Sequence, residues 1–171
     1  MPDNNALTKQ ITVEAPIEKA FRVFTEGFDS WWPRGHHIGK SNMKKAIFEA
    51  KPNGRWYEIG EDGSTCQWGR VLLWEPPKRF ILAWQITEKW EFDPNFVTEV
   101  EVNFEPEGAN RTVVSLEHRN LDRFGAAAEQ IRNSFNSDGG WLGLLKLFAA
   151  EAAGDSAEKK RLLATYDEQE A

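Results

Sequence analysis

Cysteine is almost absent. Cys66 stands alone among 171 residues, which excludes an intramolecular disulfide and any thiolate metal cluster built within one chain. Histidine is nearly as scarce, with three copies, and the adjacent pair His36-His37 points in two directions, with no third ligand at helix or strand spacing. Neither a metal nor a cofactor is therefore expected. Positive charge is in deficit: 21 Lys and Arg against 27 Asp and Glu leave a net charge of −6. With no basic stripe to displace counterions from a phosphate backbone, nucleic acid is not an expected partner. No apolar run approaches the ~20 residues that span a bilayer, and the opening MPDNNALTKQ has neither a basic lead nor an apolar segment. Membrane insertion is not expected, and the chain reads as a cytoplasmic protein. Repeats and low-complexity runs are missing as well. The length suits one domain over residues 1–171, with 1–7 and 155–171 peripheral or flexible.

What the chain has in excess is aromatic surface. Eight tryptophans and eleven phenylalanines exceed what packing alone requires, and part of that surface is expected to line a cavity. The pattern around them is ordered. TKQITVE (residues 8–14) alternates as a half-buried strand. Pro16 then opens a helix whose apolar residues Ile17, Ala20, Phe21, Phe24 and Phe28 recur at three- and four-residue spacing. DSWWPRGHHIGKSN is turn-rich and reads as a loop or short second helix. Strands are predicted over 43–50, 55–59, 66–74, 79–87, 97–105 and 112–119, joined by the turns KPNG, GEDGS, EPPK and PEGAN. In SDGGWLGLLKLFAAEAAG the residues Trp141, Leu144, Leu145, Phe148 and Ala152 make one stripe that Gly154 ends, so the main helix lies there. The charged tail either prolongs that helix or frays. Strand, helix, meander and long helix together specify an α+β fold: a curved antiparallel sheet of about six or seven strands with its helices on one side.

One hairpin breaks the pattern. WGRVLLWEPPKRFILAWQ (residues 68–85) is apolar on both faces, whereas Val100, Val102 and Phe104 alternate cleanly with Glu99, Glu101 and Asn103. Even spacing puts Trp68, Arg70, Leu72 and Trp74 together, and one face of this hairpin is expected to line the cavity while the other meets the core.

Four segments, ITVEAPIEKAFRVFTE, GRWYEIGEDGSTCQWGRVLLWEPPKRFILAW, TEVEVNFEPEGANRTVVSLEHRNL and GGWLGLLKLFAAEA, resemble the activator of heat-shock protein 90 ATPase homologue family. That family lies within the SRPBCC superfamily of START-related and birch-pollen-allergen-like folds. The resemblance implies a helix-grip fold, in which the curved sheet holds the long C-terminal helix and a cavity between them takes an apolar ligand in many relatives. It leaves function open, because members include co-chaperone domains, lipid carriers, polyketide cyclases and many bacterial proteins of unknown activity. The eukaryotic co-chaperone relatives carry an additional N-terminal domain for which this chain has no room. The expected order is therefore a binder of a hydrophobic or amphiphilic small molecule first, a chaperone-type or other protein-interaction module second, and a cyclase or hydrolase third.

The candidate ligand-binding residues are Trp31, Trp32, His37, Trp56, Glu58, Trp68, Arg70, Trp84, His118 and Trp141. Trp31, Trp32 and His37 sit in or beside the turn-rich segment, which reads as a lid; the two tryptophans either close the entrance or pack as core. His118 shares a strand face with Thr112, Val114 and Leu116 and points inward. It either meets a ligand or, as such residues more often do, is a hydrogen-bonded core histidine. Glu58 shares a face with Trp56. Solvent exposure is the favoured reading, since Glu is seldom fully buried, and an inward Glu58 would need a partner such as Arg70. Cys66 reads as an inert strand residue, and no residue is assigned as catalytic.

Overall fold

A computed structural model describes residues 5–170, with side chains to Tyr166. Seven strands form one antiparallel sheet: β1 (Ala6–Val13), β2 (Met43–Phe48), β3 (Arg55–Gly60), β4 (Thr65–Glu75), β5 (Arg79–Trp84), β6 (Thr98–Pro106) and β7 (Thr112–Arg119). Their order is β1-β7-β6-β5-β4-β3-β2, so β2 to β7 are a continuous meander and β1 closes on its last strand. Between β1 and β2 come α1 (Ile17–Phe24) and α2 (Phe28–Trp31); after β7 come a 3-10 turn (Leu121–Ala127), α3 (Ala128–Phe135), α4 (Trp141–Ala153) and α5 (Ser156–Glu170). The helix-grip arrangement holds, with α4 as the gripped helix.

The periodicities explain the packing. On β6 and β7 the residues Thr98, Val100, Val102, Phe104 and Thr112, Val114, Leu116, His118 are all buried, while the other face carries Arg119 with its ion-pair partners Glu99, Glu101 and Glu117 at 2.7–3.2 Å. The stripe of α4 is buried as its spacing predicts. Gly154 ends that helix in the left-handed region at φ 73°, a conformation that costs a residue without a Cβ least. The charged tail is a separate helix, α5, which buries Leu162 and Tyr166. Aromatic rings fill the grip: Phe24 meets Phe148 of α4 at 4.9 Å, Phe80 of β5 at 5.3 Å and Trp31 at 5.0 Å, and Phe21 meets Phe104 at 5.0 Å.

The β4–β5 hairpin differs from the even spacing expected of it. The pairing of β3 with β4 steps from Trp56↔Gly69 to Tyr57↔Gln67, which leaves Trp68 as an extra residue. A second step, between Val71↔Leu82 and Leu73↔Ile81, leaves Leu72 extra. Each bulge resets which face the chain presents. As a result Trp68 and Val71 are buried, whereas Arg70 and Leu72 are exposed. The expected shared face of Trp68, Arg70, Leu72 and Trp74 does not exist. Pocket and core both belong to the concave side, and the apolar residues on the convex side, Leu72 among them, meet solvent.

Candidate functional site

The opening left by this packing lies at one end of the grip. It is roofed by the loop after α2 (residues 33–42) and bounded by β4, β5 and the connection 85–97. Its volume is about 280 Å3, and its walls are Trp32, Gly35, His36, His37, Ile38, Trp68, Trp84, Ile86, Trp90 and Ser134. Three of the four indoles are anchored by their N–H groups: Trp32 donates to the His36 carbonyl (2.9 Å), Trp84 to the Ile86 carbonyl (3.0 Å) and Trp68 to Glu58 (2.9 Å). With these polar tips engaged, the rings present largely apolar surface to the pocket. Trp90 is 45 % exposed and adopts φ 59°.

Glu58 fastens the roof. Alternation on β3 sends Trp56 and Glu58 inward, and Glu58 is only 1 % exposed, contrary to the solvent-facing position favoured for it. The proposed partner is also corrected, because Arg70 lies on the convex face with Nη1 3.4 Å from Gln85 Oε1. Backbone donors take that place: Glu58 Oε1 accepts from Ile38 N–H (2.6 Å) and Gly39 N–H (3.2 Å) as well as from Trp68, and Oε2 lies 3.2 Å from Gly39 N. A buried carboxylate is tolerated when N–H groups replace its water. Gly39 permits the approach, since a Cβ there would come within 3.0 Å of Glu58 Oε2. His37 completes the corner, with Nδ1 2.9 Å from the Gly39 carbonyl and 3.7 Å from Glu58 Oε2. Nearby, burial and the Glu58 charge push the Cys66 thiol pKa up, so it is a poor nucleophile.

His118 belongs to the layer beneath. Trp141 Nε1–H donates to His118 Nδ1 (3.1 Å), and His118 Nε2 lies 2.8 Å from Thr98 Oγ1. An indole nitrogen only donates, so Nδ1 is bare and the ring proton sits on Nε2, facing Thr98. The ring is fully buried, stacked on Phe135 at 4.6 Å, and burial lowers its pKa to about 3. It is a neutral core histidine with both ring nitrogens engaged. Trp31, bonded to the Val23 carbonyl (3.0 Å), and Trp56, packed on Trp68 (5.3 Å) and Trp84 (5.7 Å), are likewise core.

Of the ten candidates, the fold thus brings Trp32, His37, Trp68 and Trp84 into the pocket wall and Glu58 directly behind it. Trp31, Trp56, His118 and Trp141 lie deeper, and Arg70 lies outside. Sequence reasoning did not single out Gly35, Ile38, Ile86, Trp90 or Ser134 as wall residues. The one legible signal was the pair of glycines around HHI, which marks a backbone that bends closely over something.

The family model for activator of Hsp90 ATPase homolog 1-like protein matches residues 14–152. The chain belongs to this family. No curated protein matches it. Among solved structures, this family member is similar to an anthrahydroquino-gamma-pyrone synthase, Txn09, with 35% identity, a TM-score of 0.61, and 87% of this chain and 98% of that one covered. It is also similar to CalC, a self-sacrificing resistance protein from Micromonospora echinospora, with 28% identity, a TM-score of 0.67 and coverage of 91% and 99%. A Rhodobacter sphaeroides protein at 22% identity, TM-score 0.55 and coverage of 97% and 94% shares the fold. Among the described residues no three His, Cys, Asp or Glu side chains converge as a metal site, and no helix is long and apolar enough to cross a membrane.

Proposed function

We propose that this member of the family binds a flat apolar or amphiphilic small molecule in the pocket beneath the 33–42 loop. The observation that carries the reading is the set of four indoles, Trp32, Trp68, Trp84 and Trp90, around one opening of about 280 Å3. That is close to the lower end of the size range of small-molecule sites, and aromatic walls with few polar groups are their usual lining. The likeness to Txn09, whose name describes a fused-ring product, supports a polycyclic aromatic ligand. It also favours a second reading, in which the same pocket is a cyclase site.

Fluorescence titration tests the first reading. A flat aromatic probe should quench tryptophan emission saturably at one site per chain, and Trp68→Phe should remove much of that signal while trimming volume only modestly. A broad panel of such probes giving neither saturable quenching nor a rise in melting temperature would pass the role to a protein-interaction module.

A further inference from the structure

Resting on that reading of the pocket, we propose that His37 is its proton acceptor and that the ligand is a flat aromatic molecule bearing an acidic hydroxyl, a phenol or enol. The tautomer follows from geometry. His37 Nδ1 lies 2.9 Å from the Gly39 carbonyl, which can only accept, so Nδ1 carries the proton and Nε2 of the neutral ring keeps its lone pair. His37 lines this pocket and also the opening on the outer side of the loop, its side chain is 22% exposed, and no hydrogen bond to Nε2 is found among the described residues. In a wall whose other side chains are mostly apolar, this nitrogen is an acceptor waiting for a donor.

Glu58 stands directly behind that acceptor. Its Oε2 stands 3.7 Å from His37 Nδ1, too far for a hydrogen bond but close enough for its negative charge to attract the positive charge that the ring gains when it takes the ligand's proton. The three N–H groups that converge on Oε1 hold the carboxylate in place, so Glu58 is a positioning residue and His37 the group that touches ligand. The step balances within the pair. The ligand's O–H bond breaks, an Nε2–H bond forms, the electron pair stays on oxygen as a phenolate or enolate, and release reverses the transfer. The neighbouring titratable groups are engaged or placed differently. His36 faces the Gly139 carbonyl through Nε2 at 3.2 Å, His118 is sealed beneath Trp84 and Trp141, and Cys66 holds its proton. The remaining charged groups near His37 are Arg34, Lys44 and Glu61 on the outer side of the loop.

Alizarin, whose ionisation changes its colour, and its dimethyl ether, which lacks the hydroxyls, separate the two levels of the argument. The wild-type protein should bind both, favour alizarin by about tenfold, and lower the ionisation midpoint of bound alizarin by about one to three pH units relative to free dye. His37→Gln should lose both the preference, read as the ratio of its own affinities for the two dyes, and the shift. Glu58→Gln should shrink the shift even with His37 present, an effect that a purely structural role for Glu58 would not produce once affinities are matched on the ether. Equal binding of both dyes with no midpoint shift, or a shift that survives in His37→Gln, overturns the proposal and leaves the pocket reading standing. Failure of both dyes to bind removes the pocket reading and the proposal with it.

Discussion

Replacing His118 by Gln should change not only how stable the protein is but how its stability depends on pH. The folded-state pKa of about 3 arises from burial, against an unfolded value near 6.5. Because the native value is depressed, the neutral ring's contribution is fully present above about pH 6.5 and is lost as pH falls toward about 3, the unfolded chain binding a proton that the native state refuses. At about 1.4 kcal/mol per unit, the loss is about 2–3 kcal/mol between pH 6.5 and pH 4.5, and on the order of 4–5 kcal/mol by pH 3. Gln keeps an N–H donor for Thr98 but does not titrate. At neutral pH the variant should be less stable by about 1–3 kcal/mol, since the Trp141 N–H loses its acceptor in a buried site. On acidification the gap should close and can reverse. Urea unfolding of both proteins at several pH values between 7 and 4.5 measures the difference, in which the carboxylates common to both cancel. A gap that stays constant over that range would show that His118 is not a buried neutral histidine, and the tautomer assigned from Trp141 would fall with it.

Glu58→Ala should destabilise by about 2–4 kcal/mol, because the Trp68 N–H is left buried without an acceptor while the half-buried N–H groups of Ile38 and Gly39 turn to water. Hydrogen exchange at the Ile38 amide should accelerate with it, and a variant as stable as the wild type with a protected Ile38 amide would refute the fastening role. Gly69→Ala should cost about 1–3 kcal/mol, since a Cβ there would run into the Ala83 carbonyl across the hairpin; a neutral result in thermal unfolding would place the bulge elsewhere.

Much of the fold is readable from periodicity, and the limits of periodicity account for what is not. The α4 stripe and the alternation of β6 and β7 are repeated patterns in which every residue votes the same way. The β4–β5 hairpin defeats the count because a bulge adds a residue without leaving a letter for it, so Arg70 changes face relative to Trp68. Glu58 is hidden for a different reason: two of its three partners are backbone N–H groups about 20 residues away, and any residue but proline supplies an N–H. Tryptophan content signals a lined cavity but does not sort its members. Trp31 and Trp32 are neighbours in the chain, yet one fills the grip and the other walls the pocket, a distinction set by where α2 ends.

The most direct test of the pocket is a nitrogen-edited spectrum that resolves the indole N–H signals of the eight tryptophans, recorded while a flat aromatic probe such as alizarin dimethyl ether is added. Saturable shifts should centre on Trp32, Trp68, Trp84 and Trp90, with Trp31 left in place deep in the grip beside Phe148. Shifts centred on Trp31, or none at any indole under saturating probe, would contradict the assignment of this opening as the binding site.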